Sequence, residues 1–317
     1  MPAEAMIRLE GVSKTFPGSA TPAVGDLSFD IPEGEVACLV GPSGCGKTTT
    51  LRMINRLIEP SSGRIIVGGK DIRTTPAFEL RRGIGYVIQQ VGLFAHRTVA
   101  DNVATVPRLL GWDKHKIDAR ATELLDLVGL DRDLAERYPS ELSGGQQQRV
   151  GVARALAADP PVLLMDEPFG AVDPIVRLRL QDELRSLQAR LKKTIVFVTH
   201  DIDEAIRLGD KVVVLNVGGV LEQIASPADL LGSPANAFVA EFVGSERGIR
   251  RLSLISVREV DLQQIARDTR PTVGPDASLL DALQTILRAE AEAADVVGPD
   301  GTYKGSLSLD RIAREVR

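Results

Sequence analysis

The sequence predicts an α/β fold: a parallel β-sheet covered by helices, entered through an antiparallel sheet and followed by a small α/β domain. Three observations predict it. First, short, wholly apolar runs recur at 36–40, 162–165 and 195–198, and each suits a strand buried on both faces. Second, helix-period sequence precedes the two later runs, and βα alternation with fully buried strands implies a parallel sheet with helices packed on it. Third, the character of the chain changes after Val243, where the last 75 residues hold Tyr303 as their only aromatic.

Taken in order, residues 7–10 and 27–31 alternate apolar and polar, separated by the turn-rich FPGSATP at 16–22, and predict the antiparallel entry sheet. The run at 36–40 lies between Gly34 and Gly41. Ile117, Ala121, Leu124, Leu125 and Val128 fall at helical spacing before Gly129, and Leu180, Leu184, Leu187 and Leu191 share one face of a second amphipathic helix. Residues 211–215 and 220–224, joined by Asn216-Val-Gly-Gly219, predict a hairpin that closes the first domain. The expected division is a first domain over 1–242, a linker over 243–269 and a compact domain over 270–317. That last domain should contain a strand near Val273, a helix over 278–288, strands around 295–297 and 303–307, and a final helix over 309–316.

Length and composition bound the function. At 317 residues, with 44% hydrophobic and 26% charged residues, the chain matches a globular average rather than a fibrous or disordered one. No run approaches the roughly 18 apolar residues of a membrane-spanning helix. The opening MPAEAMIRLEG lacks a basic segment followed by an apolar one, so the expectation is a cytoplasmic protein. A net charge of −5 with scattered Lys and Arg, and 4% aromatics, argue against a nucleic-acid partner. Cys38 and Cys45 are not a disulfide framework.

Gly41-Pro-Ser-Gly-Cys-Gly-Lys47-Thr48 matches GxxxxGK[ST], follows a buried strand and opens a helix. Its glycines let backbone N–H groups curl around phosphates, and the helix N-terminus adds positive potential. Lys47 would reach the β- and γ-phosphates, and the Thr48 hydroxyl would coordinate Mg²⁺. Asp166-Glu167 ends the apolar run at 162–165. Asp166 would hold the metal's water shell, and Glu167 could orient, or take a proton from, the water attacking the γ-phosphorus. In Leu142-Ser-Gly-Gly-Gln-Gln-Gln-Arg149, Ser143 can cap a helix whose first turn is Gly144, Gly145 and Gln146. Two glycines there cost up to about 1 kcal/mol each, and close approach of an anion accounts for them.

With these motifs in hand, the chain resembles the ATP-binding subunit of an ABC transporter, a P-loop NTPase cassette with a parallel core sheet, an antiparallel β subdomain and a helical subdomain. The resemblance spans roughly residues 6–243. The phosphate loop at 41–48, Gln89 after Gly85-Tyr-Val-Ile, LSGGQ at 142–146, the 162–166 strand with Glu167, Ala171-Val-Asp173 and Thr199-His200-Asp201 occur in family order. It implies that Gly41, Ser43, Gly44, Cys45, Gly46, Lys47, Thr48 and Thr49 hold the phosphates of ATP, and that Thr48, Gln89 and Asp166 serve Mg²⁺. Gln90 competes with Gln89, which is preferred because it directly follows the strand. Phe16 would stack on adenine, where the family more often has Tyr. Glu167, His200 and Gln89 would be the hydrolytic group. Ser143, Gly145 and Gln146 would bind the γ-phosphate held by a second copy in a head-to-tail dimer, with Asp173 crossing the seam; GAVD stands where the family usually has SALD. His96 and His115 read as surface residues.

A separate cassette implies membrane permease subunits that dock near 91–103, and through them a substrate-binding protein, placing the chain at the cytoplasmic face of a membrane. The stretch GYVIQQVGLFAHRTVADNVATVPRLLGW, followed later by SPANAFVAEFVG, is similar to the importers of quaternary amines and osmoprotectants such as glycine betaine, choline, carnitine and proline. Residues 272–283 and 295–308 resemble a single CBS repeat, a regulatory module of those importers; Asp310 falls one place earlier than in nucleotide-binding repeats. The alternatives are an amino-acid importer of the methionine type, a soluble ABC ATPase outside transport, or a sensor without turnover.

Overall fold

A computed structural model describes residues 5–89, 92–170, 172–264 and 270–316. Gln90, Val91, Ala171 and the stretch 265–269 named above lie outside them. The chain divides into two compact units, Met1–Glu222 and Gln223–Arg317.

In the first unit, β1 (Ala5–Lys14), β2 (Val24–Pro32), β4 (Ser62–Val67) and β5 (Lys70–Asp71) form a four-stranded antiparallel sheet in the order β2-β1-β4-β5. Strict alternation along β2 buries Val24, Leu27, Phe29 and Ile31 on one face, as a one-sided sheet requires. The second sheet comprises β3 (Val36–Val40), β6 (Ile84–Val87), β7 (Val162–Asp166), β8 (Thr194–Val198), β9 (Lys211–Asn216) and β10 (Val220–Ala225), ordered β10-β9-β3-β8-β7-β6. Its five strands from β9 to β6 pair in parallel. Every residue of β3, β7 and β8 is buried, which is why they read as unbroken apolar runs. One apolar core joins the two sheets, with Leu51, Met53 and Ile54 of the helix Lys47–Ile54 between Leu9, Leu27 and Phe29 on one side and Leu39, Val196 and Val198 on the other.

The helices Lys114–Leu127 and Gly144–Leu156 form the helical part, and Pro174–Leu191 turns its Leu180, Leu184 and Leu187 inward. Parallel pairing sets the C-terminal ends of β3, β8, β7 and β6 along one edge of the sheet, neighbouring strands standing about 4.8 Å apart. This edge is where open α/β sheets bind ligands.

The second unit has its own core. Strands β11 (Thr272–Val273), β12 (Ala293–Val297) and β13 (Tyr303–Ser308) lie in that order, β11 parallel and β13 antiparallel to β12. The helix Leu279–Arg288 buries Leu279, Ala282 and Ile286 against them. The sequence reads residues 243–269 as a linker with some helix; residues 247–252 are helical, and Leu252, Ile255, Val257 and Val260 belong to this core. Gly248 permits a close crossing, since a Cβ there would lie 2.5 Å from Val316 O. The helices Pro227–Gly232 and Ala237–Val243 also fall in this unit, ahead of the expected boundary near Val243. The apolar residues between Gly244 and Val260, namely Ile249, Leu252, Leu254, Ile255 and Val257, keep no single period, so periodicity does not signal a core segment.

Candidate functional site

Each strand end along that edge delivers one part of a single cleft. After β3 the chain turns through Gly41 (φ +147°), Gly44 (φ +79°) and Gly46 (φ +94°), backbone states that L side chains rarely adopt. Space enforces glycine as well: a Cβ at Gly41 would lie 2.1 Å from Leu215 O, and one at Gly46 2.4 Å from Ala23 O. The loop then opens the helix Lys47–Ile54 with no side-chain cap, so its first N–H groups are not held by a capping side chain. Lys47 is 6% exposed and folds back so that its Nζ donates to Gly41 O at 2.8 Å and Pro42 O at 3.0 Å.

At the end of β7, Asp166 is buried at 4% exposure, and Thr48 Oγ1 donates to its Oδ1 at 2.9 Å. Burial pushes the Asp166 carboxyl above its ordinary value, and the Thr48 hydrogen bond only partly offsets this. Glu167 follows in a left-handed conformation, φ +44°, with its N–H bound to Val198 O at 2.9 Å. A non-glycine residue held there carries strain of order 1–3 kcal/mol. Its Oε2 accepts from Gln89 Nε2 at 3.0 Å, two residues beyond β6, and lies 3.4 Å from His200 Nδ1, two residues beyond β8. The cleft measures about 460 Å³, and Ser43, Gly44, Gly46, Lys47, Thr48, Thr49, Gln89, Glu167 and His200 line it together with Ala23. Lys47 and the loop N–H groups give the cleft positive charge, Glu167 is the one carboxylate among these lining residues, and the size and charge of the space suit a polyphosphate.

The hydroxyl of Thr48 and the carboxylate of Asp166, 2.9 Å apart, are hard oxygen donors of the kind Mg²⁺ prefers, and Gln89 lines the same cleft as Thr48. The buried Asp166 carboxyl, costly to ionise alone, fits a neighbouring cation.

Other expected site residues do not line this cleft. Ser143 caps the helix Gly144–Leu156: its Oγ accepts from Gln146 N–H at 3.3 Å, while its own N–H donates to Gln146 Oε1 at 2.9 Å. Nothing stands within 4 Å of where a Cβ on Gly144 would be, and a Cβ on Gly145 would meet only Val176 Cγ1, at 3.2 Å. Asp173 caps the helix Pro174–Leu191, accepting from Ile175 N–H at 2.9 Å. Phe16 is 39% exposed with Lys14 Nζ 5.2 Å from its ring centroid. Cys45 is buried beside Lys47. His96 and His115 are exposed. The sequence reading missed Ala23, which precedes the apolar start of β2 and carries no chemical signal, and the buried carboxylate Glu204, whose place three residues after the Thr-His-Asp segment was the available sign.

A family model described as ABC transporter matches residues 24–170. The chain is 50% identical over 97% of its length, and over 79% of the relative's, to the glycine betaine/carnitine/choline transport ATP-binding protein OpuCA of Bacillus subtilis. It is 50% identical over 98% of its length to the glycine betaine uptake system ATP-binding protein YehX of Escherichia coli, covering 100% of that protein. Among solved structures, a dimeric post-hydrolysis ATP-binding cassette bound to ADP and phosphate superposes with a TM-score of 0.63 at 34% identity, covering 70% of this chain and 99% of that one.

Proposed function

The chain belongs to the ATP-binding proteins of ABC transporters, and on that premise we propose that it is the ATP-hydrolysing subunit powering import of a quaternary amine or related osmoprotectant through separate membrane subunits. One observation carries the hydrolytic part: Gln89, Glu167 and His200 meet through contacts of 3.0 and 3.4 Å across the cleft from Lys47 and Thr48. The choice of solute rests on relatives named for quaternary amines that match over 95–98% of this chain.

In this reading the N–H groups of 41–49 and the Lys47 ammonium bind the β- and γ-phosphates of ATP. Lys47 exchanges its two carbonyl bonds for phosphate oxygens. Thr48, Asp166 and Gln89 would hold Mg²⁺, which when bound would neutralise charge on the phosphates. Phosphoryl transfer needs positioning and charge stabilisation above all. Glu167 orients the attacking water and takes its proton, while Gln89 and His200 fix the carboxylate between them. Phe16 packs on the adenine.

Ser143, Gly145 and Gln146 stand apart from the cleft of their own chain, with an uncluttered helix start. That placement supports a head-to-tail dimer in which each signature segment closes the other copy's site and Asp173 lies at the seam. ATP then acts as a clamp that drives permease subunits at the cytoplasmic face of the membrane, fed by a substrate-binding protein. The second unit serves as a CBS-like regulatory or dimerising module; its three-stranded sheet with the helix Leu279–Arg288 supports this.

Glu167→Gln tests the hydrolytic part, because it removes the base and keeps the phosphate contacts. Turnover should fall at least about 100-fold, with MgATP now holding a dimer in light scattering. Hydrolysis at the parental rate would reject Glu167 as the base. Uptake of labelled glycine betaine by vesicles carrying the assembled transporter tests the solute.

A further inference from the structure

Behind the cleft lies a buried polar cluster that the hydrolytic reading does not use. Thr199 immediately precedes His200, and its backbone N–H is tied to Leu39 O at 3.2 Å. Its hydroxyl donates to Glu204 Oε2 at 2.6 Å and accepts from Asp201 N–H at 3.0 Å. Thr199, Glu204 and Gln181 are 2%, 5% and 3% exposed. The other carboxylate oxygen of Glu204 accepts from Gln181 Nε2 at 3.1 Å and lies 3.9 Å from Arg177 Nε, which has no hydrogen-bond partner of its own. Arg177 reaches two ways: its Nη2 donates to Val172 O at 3.3 Å, and its Nη1 lies 3.8 Å from Asp201 Oδ2.

Burial raises the Glu204 carboxyl above its usual range, the Thr199 hydrogen bond being the largest opposing influence. A carboxylate kept at such a place is poor evidence of stabilisation, because an apolar residue of similar size is often equal or better. With each of its oxygens hydrogen-bonded, Glu204 nonetheless fixes one local arrangement. The arrangement fixed here is the turn at 199–201.

We propose that Glu204 is a positioning residue for His200: through the Thr199 hydroxyl it locks the turn that sets the imidazole 3.4 Å from Glu167, and through Arg177 it links that turn to the backbone beside Asp173. This rests on His200 acting in hydrolysis. The contacts run in sequence: Val172 O to Arg177, Arg177 to Glu204 and Asp201, Glu204 to Thr199, and Thr199 to the main chain of His200's neighbour. Arg177 thus stands between the Val172 carbonyl and the turn that carries the imidazole.

The test compares Thr199→Val, Thr199→Ser, Glu204→Ala and His200→Ala in the full chain, reading kcat, KM for MgATP, ADP affinity and melting temperature. Valine matches threonine in shape and removes only the hydroxyl. Thr199→Val is expected to lower kcat about 10- to 100-fold, the effect of a small misplacement, with ADP affinity within twofold of the parent. Thr199→Ser should restore most of the rate, and Glu204→Ala should follow Thr199→Val in kcat. If His200→Ala is slow but Thr199→Val hydrolyses at the parental rate, the positioning role is overturned while the reading of His200 stands. If His200→Ala itself is unimpaired, both fall. A Thr199→Val that loses ADP affinity in proportion to kcat assigns the cluster to structure alone and also overturns the proposal.

Discussion

At the scale of the residue, Asp166 puts function and stability in opposition. Its carboxyl is buried beside Glu167, and burial holds its pKa above the ordinary value. A raised carboxyl pKa means that the unfolded chain ionises more readily. Ionisation therefore weakens the fold as pH rises through the unfolded and then the folded value, and the cost is absent in acid where both states are protonated. Asp166→Asn keeps an oxygen for the Thr48 hydroxyl and removes the charge. We expect it to raise the melting temperature by a few degrees at neutral pH, since about 1 kcal/mol moves a domain of this size by roughly 2–4 °C. The gain should vanish toward acid pH and hydrolysis should be lost; scanning calorimetry across pH, with a phosphate-release assay, checks both. Residues whose chemistry depends on spacing, such as Lys47 and Thr48, were legible in the sequence because the loop itself dictates their positions. Glu204, Gln181 and Arg177 were not, because the contacts joining them span 23 residues for Gln181 and Glu204 and depend on two helices meeting behind β8.

At the scale of the element, the helix Gly144–Leu156 begins with two glycines where a helix gains nothing from them. Alanine at position 145 should favour the helix by up to about 1 kcal/mol, and the Val176 side chain it would approach is 40% exposed and can yield. Gly145→Ala should therefore melt no lower than the parent and bind ADP as well, yet lose MgATP-driven dimerisation and most of its turnover. Light scattering with and without MgATP reads this; an unchanged dimer would remove Gly145 from the shared phosphate site. Elements with one strong period were readable: the buried runs became β3, β7 and β8, and Ile117, Ala121, Leu124 and Leu125 share the buried face of Lys114–Leu127. Strand β1 ran past its legible part, from the alternating 7–10 to Lys14, because register shifts between Leu9 and Val12 and between Val12 and Lys14 break the period of two that sequence reading relies on.

At the scale of the whole molecule, the second unit has a core of its own, and it begins earlier than its sequence suggested. Removing residues 270–317 would strip Leu252, Ile255, Val257 and Val260 of the partners that bury them, so that truncation should aggregate. A fully buried position offers a gentler probe. Leu279→Ala is expected to cost about 2–5 kcal/mol within the second unit and to leave ADP affinity unchanged, seen as an early calorimetric transition beside an unaltered nucleotide titration. Glu167 has a different bearing on the molecule's history. Its left-handed backbone, φ +44°, is tied to β8 through Val198, and glycine or asparagine would adopt it at less cost. A lineage bred for heat resistance alone has no reason to keep glutamate there, and its hardiest descendants would be the ones that had stopped working.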